Sequence, residues 1–426
     1  MADAGITQQA PGRDELDGMD ELALLRRFRR DLHRIPELDF DLPQTTAYVE
    51  QVLGALSCEV TRPFRSCVCA FFEAGARKAT AIRADMDALP IIEATGVAFH
   101  STHAGCMHAC GHDSHMAMAL TAAVLVDRRL REGAGEAGQP GEPADLPRNV
   151  LFVFQPAEET TGGAKIVCES GVFERYHADR VFGFHVWPDL PAGTVYSRSG
   201  ALLARSSETH IAIHGESTHI AKTYGVDDAH SHDAMLAAAR FVVRERELME
   251  RLGAEEPCIC KFGELTAGTV CNAVAGEARI AGSLRVFSDA MFDRARNEIR
   301  DLLRDCCEGT GCTFDLDFAE GYPPVDNDRA LYALASRALD GRDGAPRLRD
   351  LADPLLIAED FAFYQRHLPG VFFLLGVGAP AAGEPRMELR DVQPYATSAL
   401  HTDGLMFDER LLLPGVATYR RLLEVA

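Results

Sequence analysis

The sequence predicts an α/β protein of two domains. Its 426 residues exceed what a single compact core usually contains. Short apolar runs rich in Val, Ile and Phe alternate with helical stretches, which is typical of a central α/β sheet. One middle segment follows the order β-α-β-β-α-β, the ferredoxin-like unit. We therefore expect a central-sheet domain over residues 19–205 and 321–426, interrupted by an inserted ferredoxin-like domain over residues 206–320.

The individual elements follow from apolar periodicity and from the residues that bound each run. We expect residues 1–18 to be a loose tail, residues 21–33 to form an amphipathic helix, and residues 133–147, rich in Gly, Ala, Glu and Pro, to form an exposed flexible loop. The predicted buried strands of the first domain are residues 79–83, 149–155, 180–184 and 370–376. The inserted domain has predicted strands at 208–214, 258–265, 277–287 and 312–318, and helices at 227–252 and 289–308.

The composition excludes several classes of partner. Lys plus Arg number 43 against 64 Asp plus Glu, a net charge of −21. This acidic excess repels phosphate backbones and anionic membranes, so neither nucleic acid nor membrane is an expected partner. No apolar run reaches membrane-spanning length, and the N-terminal residues lack the regions of a signal peptide. We expect a cytoplasmic protein whose 12 cysteines, none in a C-x-x-C pair, are mostly buried and reduced.

Polar residues directly follow three of the predicted strands. Asp85 and Asp87 follow the first of them, Glu158 and Glu159 the second, and His185 the third. Binding sites of α/β sheets lie at the carboxyl ends of the strands. We therefore expect these acid and imidazole groups to meet at one edge of the sheet.

A thiol and three imidazoles are concentrated in the segment Met-His-Ala-Cys-Gly-His-Asp-Ser-His, residues 107–115. Cys110 and His112 lie two apart in a turn that Gly111 permits, a spacing that suits metal binding. The alternative interpretation is an ordinary helix N-terminus capped by Asp113, with hydrogen-bonded histidines. The density of histidines beside a cysteine favours metal binding.

Two further signals are weak when taken alone. Of two adjacent carboxylates such as Glu158 and Glu159, one can bind a metal while its neighbour accepts a proton from water, but a bare pair is more often solvated. A lone histidine such as His185 or His401 is more often a hydrogen-bonded histidine of the core than a metal ligand. Together the candidate ligands form a mixed N, O and S set that suits a two-metal hydrolytic site holding zinc, manganese or a similar ion. They are Cys110, His112, Glu159, His185 and His401.

The series of motifs resembles the amidohydrolase branch of the co-catalytic zinc metallopeptidases. That branch includes hippurate hydrolases, N-acyl amino acid aminoacylases, N-acetyldiaminopimelate deacetylases and auxin-conjugate hydrolases, with carboxypeptidase G a more distant relative. The resemblance covers nearly the whole chain. It rests on residues 32–38 (LHRIPEL), 83–90 (RADMDALP), 110–113 (CGHD), 155–159 (QPAEE), 184–185 (FH) and 401–402 (HT).

The resemblance implies a zinc-peptidase type of α/β fold (phosphorylase/hydrolase-like) with an inserted lid and dimerisation domain. It implies two divalent metal ions per chain, zinc or manganese with cobalt or nickel as alternatives, and Cys110 between them. Glu158 matches the general base, Asp87 the acid that orients a metal-bound histidine, and His219 a histidine that stabilises the oxyanion. Asn272 matches a substrate-contacting position. The metal ligands implied are the five residues named above.

The segment around His219 departs from the family pattern. Residues 214–222 read His-Gly-Glu-Ser-Thr-His-Ile-Ala-Lys, without the usual proline and with Lys222 added. Lys222 could pair with a carboxylate of the substrate, although a solvated surface lysine is an equally good interpretation.

The function implied is hydrolysis of the amide bond of a small N-acyl amino acid by a metal-activated water. A dipeptidase or aminopeptidase with the same metal chemistry is the nearest alternative. A catalytically inactive binding protein is disfavoured because every ligand position and Glu158 are present. The relatives' use of the inserted domain implies a homodimer or a larger even homo-oligomer.

Overall fold

The structure is a computed structural model that describes residues 9–133, 146–160, 162–383 and 386–426. It divides into two units. The first contains Met1–Gly200, Asp326–Ala352 and Phe363–Ala426, and the second contains Ala201–Val325 and Asp353–Ala362. The predicted inserted segment, residues 206–320, lies within the second unit, which also includes 20 residues that the sequence placed in the other domain, namely 201–205, 321–325 and 353–362.

Strands and helices follow one another along both units of the described chain. The strands are β1 (Glu59–Thr61), β2 (Val68–Phe72), β3 (Ala79–Asp85), β4 (Asn149–Gln155), β5 (Ala178–Pro191), β6 (Val195–Ser197), β7 (Gly200–Leu203), β8 (Arg205–His214), β9 (Ile259–Ala267), β10 (Glu277–Val286), β11 (Thr313–Glu320), β12 (Val325–Asn327), β13 (Leu348–Asp350) and β14 (Gly370–Gly378). The helices are α1 (Arg13–Asp17), α2 (Glu21–His33), α3 (Pro43–Gly54), α4 (His112–Gly133), α5 (Gly163–Glu169), α6 (Val172–Arg175), α7 (Ala234–Gly253), α8 (Asp289–Glu308), α9 (Arg329–Ala338), α10 (Ala362–His367) and α11 (Leu413–Leu423). Short 3₁₀ helices cover Ile220–Thr223, Asp228–His230 and Glu409–Leu412.

A mixed sheet of eight strands forms the centre of the first unit, in the order β1-β2-β4-β3-β5-β14-β6-β13. Strands β4, β3, β5 and β14 run parallel to one another, so their carboxyl ends share one edge. Every residue of β3, β4 and β14 is buried, as the continuous apolar runs predict. The α/β fold class is thereby confirmed.

The second unit has a four-stranded antiparallel sheet in the order β11-β8-β10-β9. Helix α7 follows β8 and α8 follows β10, which gives the predicted order β-α-β-β-α-β. The inward residues of β8 alternate with exposed ones, and they join the apolar faces of the two helices in one core. Phe241 and Ile299 are fully buried there.

The predicted N-terminal tail and the first predicted helix of the inserted domain differ from the structure. Residues 13–17, assigned to a loose tail, form α1, because Leu16 is buried against the core. The helix predicted at 227–252 begins only at Ala234, because the Asp233 side chain accepts hydrogen bonds from the first-turn N–H groups of Met235 and Leu236. Most of the loop predicted at 133–147 lies outside the described residues. Within the described part of the chain, no helix is long and apolar enough to cross a membrane.

A buried group of charges ties α2 to the start of α4. His33 Nδ1 lies 2.8 Å from Asp113 Oδ2, and its Nε2 lies 3.3 Å from Glu93 Oε1. Arg29 Nε is 3.4 Å from the same Asp113 oxygen. Burial disfavours a charged imidazole, but the hydrogen bonds to Asp113 and Glu93 outweigh it and raise the pKa of His33 to about 9. His33 is therefore a cation at neutral pH.

This group predicts a loss of stability at alkaline pH. The folded pKa of His33 lies above its unfolded value, so the stabilisation is complete below about pH 6.5 and is lost as pH rises through about 9. We expect the unfolding free energy of the wild type to fall by up to about 3 kcal/mol more over this range than that of His33→Gln. Urea unfolding between pH 6 and 9.5 measures the difference, and parallel curves for the two proteins would contradict it.

Candidate metal centre

A left-handed turn places the two adjacent glutamates. Strand β4 ends at Gln155, and Ala157, fully buried with a φ of 59°, turns the chain directly before Glu158. A positive φ is costly for a residue other than glycine, and such strain is concentrated at functional sites. The N–H groups of Glu158 and Glu159 donate to the two carboxylate oxygens of Asp87, each over 3.0 Å. Asp87 thereby holds the backbone of both glutamates.

The segment from Cys110 to His112 makes a tight turn at the start of α4. Gly111 has a φ of 89°, and a Cβ atom there would lie 2.5 Å from the Cγ2 atom of Val186. Only glycine fits this approach without a shift of the neighbour. His112 Nδ1 lies 2.7 Å from the main-chain oxygen of Asp87, to which it donates. The other ring nitrogen, Nε2, is therefore directed away from Asp87 and towards the glutamates.

His185 and His401 approach this turn from two other elements. His185 lies inside β5, which continues to Pro191, and its Nε2 is 3.2 Å from Cys110 Sγ. His401 has a φ of 61°, and its N–H donates to the main-chain oxygen of Ala109 over 2.8 Å. Its Nε2 lies 3.4 Å from Glu159 Oε1. The structure therefore brings all five candidate ligands together.

The donor atoms form two groups that share one thiol. In each group the donor atoms lie within 4.8 Å of one another. The first group is Cys110, His112 and His185, and the second is Cys110, Glu159 and His401. Glu158 lies beside them and forms a further group of the same spacing with His112 and Glu159, but it belongs to neither group that contains Cys110.

The chemistry of these residues fits divalent cations. His112 Nε2 is buried without a hydrogen-bond partner among the described residues, and it faces Glu159 Oε1 at 3.7 Å and Asp85 Oδ2 at 3.6 Å. Imidazole nitrogen, carboxylate oxygen and thiolate sulfur are the ligands that zinc and similar ions accept. A buried nitrogen directed at two carboxylates is left unsatisfied unless a proton or a cation lies between them.

The titration behaviour of the group supports the same conclusion. Burial lowers the pKa of His112, but the charges of Asp85 and Glu159 outweigh it and raise that pKa to about 10. Burial raises the pKa of the Cys110 thiol, and the carboxylates of Glu159 and Glu158 raise it further. The site therefore attracts positive charge, and its thiol keeps its proton unless a cation lies beside it.

Glu159 and His185 are already in the protonation state that metal binding requires. Burial would raise the pKa of Glu159, but hydrogen bonding to His401 and the charge of His112 lower it to about 2. Burial and the neighbouring His115 lower the pKa of His185 to about 3. Glu159 is thus ionised and His185 is neutral at neutral pH.

The other predicted site residues lie in the second unit. His219 forms a bridge with Ala273, and the N–H of Ile220 donates to the main-chain oxygen of Asn272 over 3.2 Å. Lys222 donates its N–H to the main-chain oxygen of His219 over 2.8 Å. His219, Asn272 and Lys222 are all exposed and lie on neighbouring segments.

Sequence reasoning placed Asp85 and His115 among the polar groups near the site but gave neither of them a specific role. Both are buried directly behind the ligands, with His115 Nδ1 2.6 Å from Asp85 Oδ1. The available signal was the spacing of His115, which lies three residues after His112 and so on the same face of α4.

Comparison with known proteins connects this geometry to a family. A family model described as peptidase family M20/M25/M40 matches residues 81–424. The N-acetyldiaminopimelate deacetylase of Streptococcus gordonii is 33% identical over 369 residues, which are 85% of this chain and 92% of that protein. An uncharacterised hydrolase of Staphylococcus aureus is 32% identical over 412 residues, which are 95% of this chain and 99% of that protein.

A solved structure is similar to this chain over nearly its whole length. The Bacillus subtilis YXEP protein, a dinuclear metal-binding peptidase from the M20 family, matches with a TM-score of 0.76 and 28% identity. The match covers 95% of this chain and 97% of that one. The resemblance seen in the sequence motifs is therefore confirmed, and the chain belongs to peptidase family M20/M25/M40.

Proposed function

We propose that this hydrolase cleaves the amide bond of a small N-acyl amino acid and releases a carboxylate and a free amino acid. The observation that carries the proposal is the position of Glu158, a carboxylate beside two ligand groups that share Cys110 and a member of neither. A general base needs this arrangement, because it must reach a water molecule without being consumed as a ligand. The deacetylase relative, named for an N-acetylated amino acid, supports the substrate class.

We assign the metal ligands as Cys110, His112, Glu159, His185 and His401, with zinc or manganese as the ions. When bound, two such ions would polarise the substrate carbonyl and lower the pKa of a water. Glu158 accepts the proton of the attacking water on its carboxylate and returns it to the leaving amine. Asp87 keeps Glu158 and Glu159 in place through their N–H groups and orients His112 through its main-chain oxygen.

The second unit is proposed to supply the substrate contacts. His219 Nδ1 accepts the N–H of Ala221 over 3.1 Å, so that its Nε2 carries a hydrogen and can donate to an oxyanion. Asn272 and Lys222 are proposed to contact the amino acid part of the substrate. We also propose a homodimer or a larger even assembly, because β9 is an edge strand with Leu265 exposed, and edge strands can pair with a second copy.

A substrate panel on metal-loaded protein tests the proposed function. We expect hydrolysis of N-acetyl, N-benzoyl or long-chain N-acyl amino acids, with kcat/KM at least about 10-fold above that for free dipeptides, a difference of about 1.4 kcal/mol in transition-state binding. Protein stripped of metal serves as the control. A preference for free dipeptides would identify a dipeptidase instead, and no turnover of any amide would overturn the proposal.

A further inference from the structure

We propose that Asp85 and His115 are positioning residues that hold the His185 segment of β5 in the orientation needed for metal binding. The inference rests on the proposed role of His185 as a ligand. It begins from the hydrogen bonds of His115, whose Nδ1 lies 2.6 Å from Asp85 Oδ1 and whose Nε2 accepts the N–H of Val186 over 2.9 Å.

These two contacts fix the tautomer of His115. A main-chain N–H can only donate, so Nε2 of His115 must carry a lone pair, and Nδ1 carries the hydrogen that Asp85 accepts. Arg83 pairs with the other oxygen of Asp85, with its Nη1 2.7 Å from Asp85 Oδ2. The side chains of Arg83, Asp85 and His115 are all buried.

The same contacts exclude His115 as a metal ligand. Its donor atom lies within 4.8 Å of donor atoms of Asp85 and His112, a spacing that by itself would suit an ion. Both nitrogens of the His115 ring are already engaged, however, and a ligand needs a free lone pair. His115 therefore acts on the metal centre through a neighbour.

That neighbour is Val186, the residue that follows His185. The N–H of Val186 donates to His115, and the main-chain oxygen of Val186 accepts from His185 Nδ1 over 2.6 Å. The second contact leaves His185 Nε2 for the metal and directs it to Cys110 Sγ. Pairing of β5 with β3 ends at Gly183, and beyond it Val186 pairs with Leu375 of β14 and donates its N–H to His115.

The test is metal affinity, measured by titration of Zn²⁺ against a competing chelator. We expect His115→Leu to weaken affinity by about 10–100-fold, the usual effect of losing a partner behind a ligand. His115→Gln, whose side-chain oxygen can accept the Val186 N–H, should recover most of the loss. Trp187, the sole tryptophan, lies 5.7 Å from the His185 ring, and its fluorescence gives a second readout of binding.

Two controls separate a positioning role from a general loss of stability. His103→Leu removes another hydrogen-bonded histidine of the first unit, bonded to the Pro36 main chain and to Gln44, and should leave Zn²⁺ affinity unchanged. Circular dichroism must show each variant folded. Wild-type affinity in folded His115→Leu, or no recovery in folded His115→Gln, would overturn the inference. Failure of the wild type itself to bind Zn²⁺ would overturn the proposed function instead.

Discussion

Glutamine in place of Glu158 is expected to lower kcat of the metal-loaded protein by at least about 10²-fold, with metal content and KM little changed. Glutamine keeps the shape of the side chain but cannot accept a proton from water. Its backbone contact to Asp87 is unaffected, because the Glu158 main-chain N–H makes it. Steady-state kinetics and metal analysis on the same preparation measure both quantities.

The neighbouring Glu159→Gln is the matched control, because it makes the same chemical change one residue away. Glu159 belongs to a ligand group and lies 3.4 Å from His401 Nε2, so the loss of its charge should lower metal occupancy first. If Glu158→Gln loses metal while Glu159→Gln loses only turnover, the two roles are reversed. Near-normal turnover in both variants would refute the proposed mechanism.

Local sequence patterns predicted many of the strands and helices. The strand predicted at 149–155 and the helices predicted at 21–33 and 289–308 have the same bounds in the structure, because each has a clear period and clear flanking residues. The strand predicted at 180–184 extends instead to Pro191, because its parallel pairing with β14 continues past His185. The polar His185 marked the predicted end, because the local sequence pattern does not show which strand pairs with the residues that follow.

Some features of the candidate site could likewise be predicted from the local sequence, whereas others depend on contacts between distant residues. Residue type and strand ends indicated Glu158, Glu159 and His185, because binding sites of α/β sheets lie at the carboxyl ends of the strands. Spacing could not reveal that Ala157 adopts a left-handed conformation, since glycine is the residue expected there. Nor could it reveal the contact of His115 with the Val186 N–H, which joins residues 71 positions apart in the chain.

Serine in place of Cys110 is expected to weaken the binding of both ions, because Cys110 is the member common to the two ligand groups. A hydroxyl keeps its proton where a thiolate would form, so serine would supply no negative charge to either ligand group. The loss should exceed the roughly 100-fold upper range for removing a partner behind a ligand. Chelator competition with Zn²⁺ and metal analysis after dialysis measure affinity and stoichiometry.

Cys69→Ser is the matched control, since Cys69 is a buried thiol of the same unit that lies in β2 and in neither ligand group. It tests the cost of burying a hydroxyl in place of a thiol. We expect it to lower thermal stability by an amount comparable to Cys110→Ser while keeping two ions per chain. Loss of only one ion in Cys110→Ser would place Cys110 in a single ligand group. Retention of both ions with wild-type affinity would remove it from the centre altogether, and the pairing of ligands around a shared thiol would be wrong.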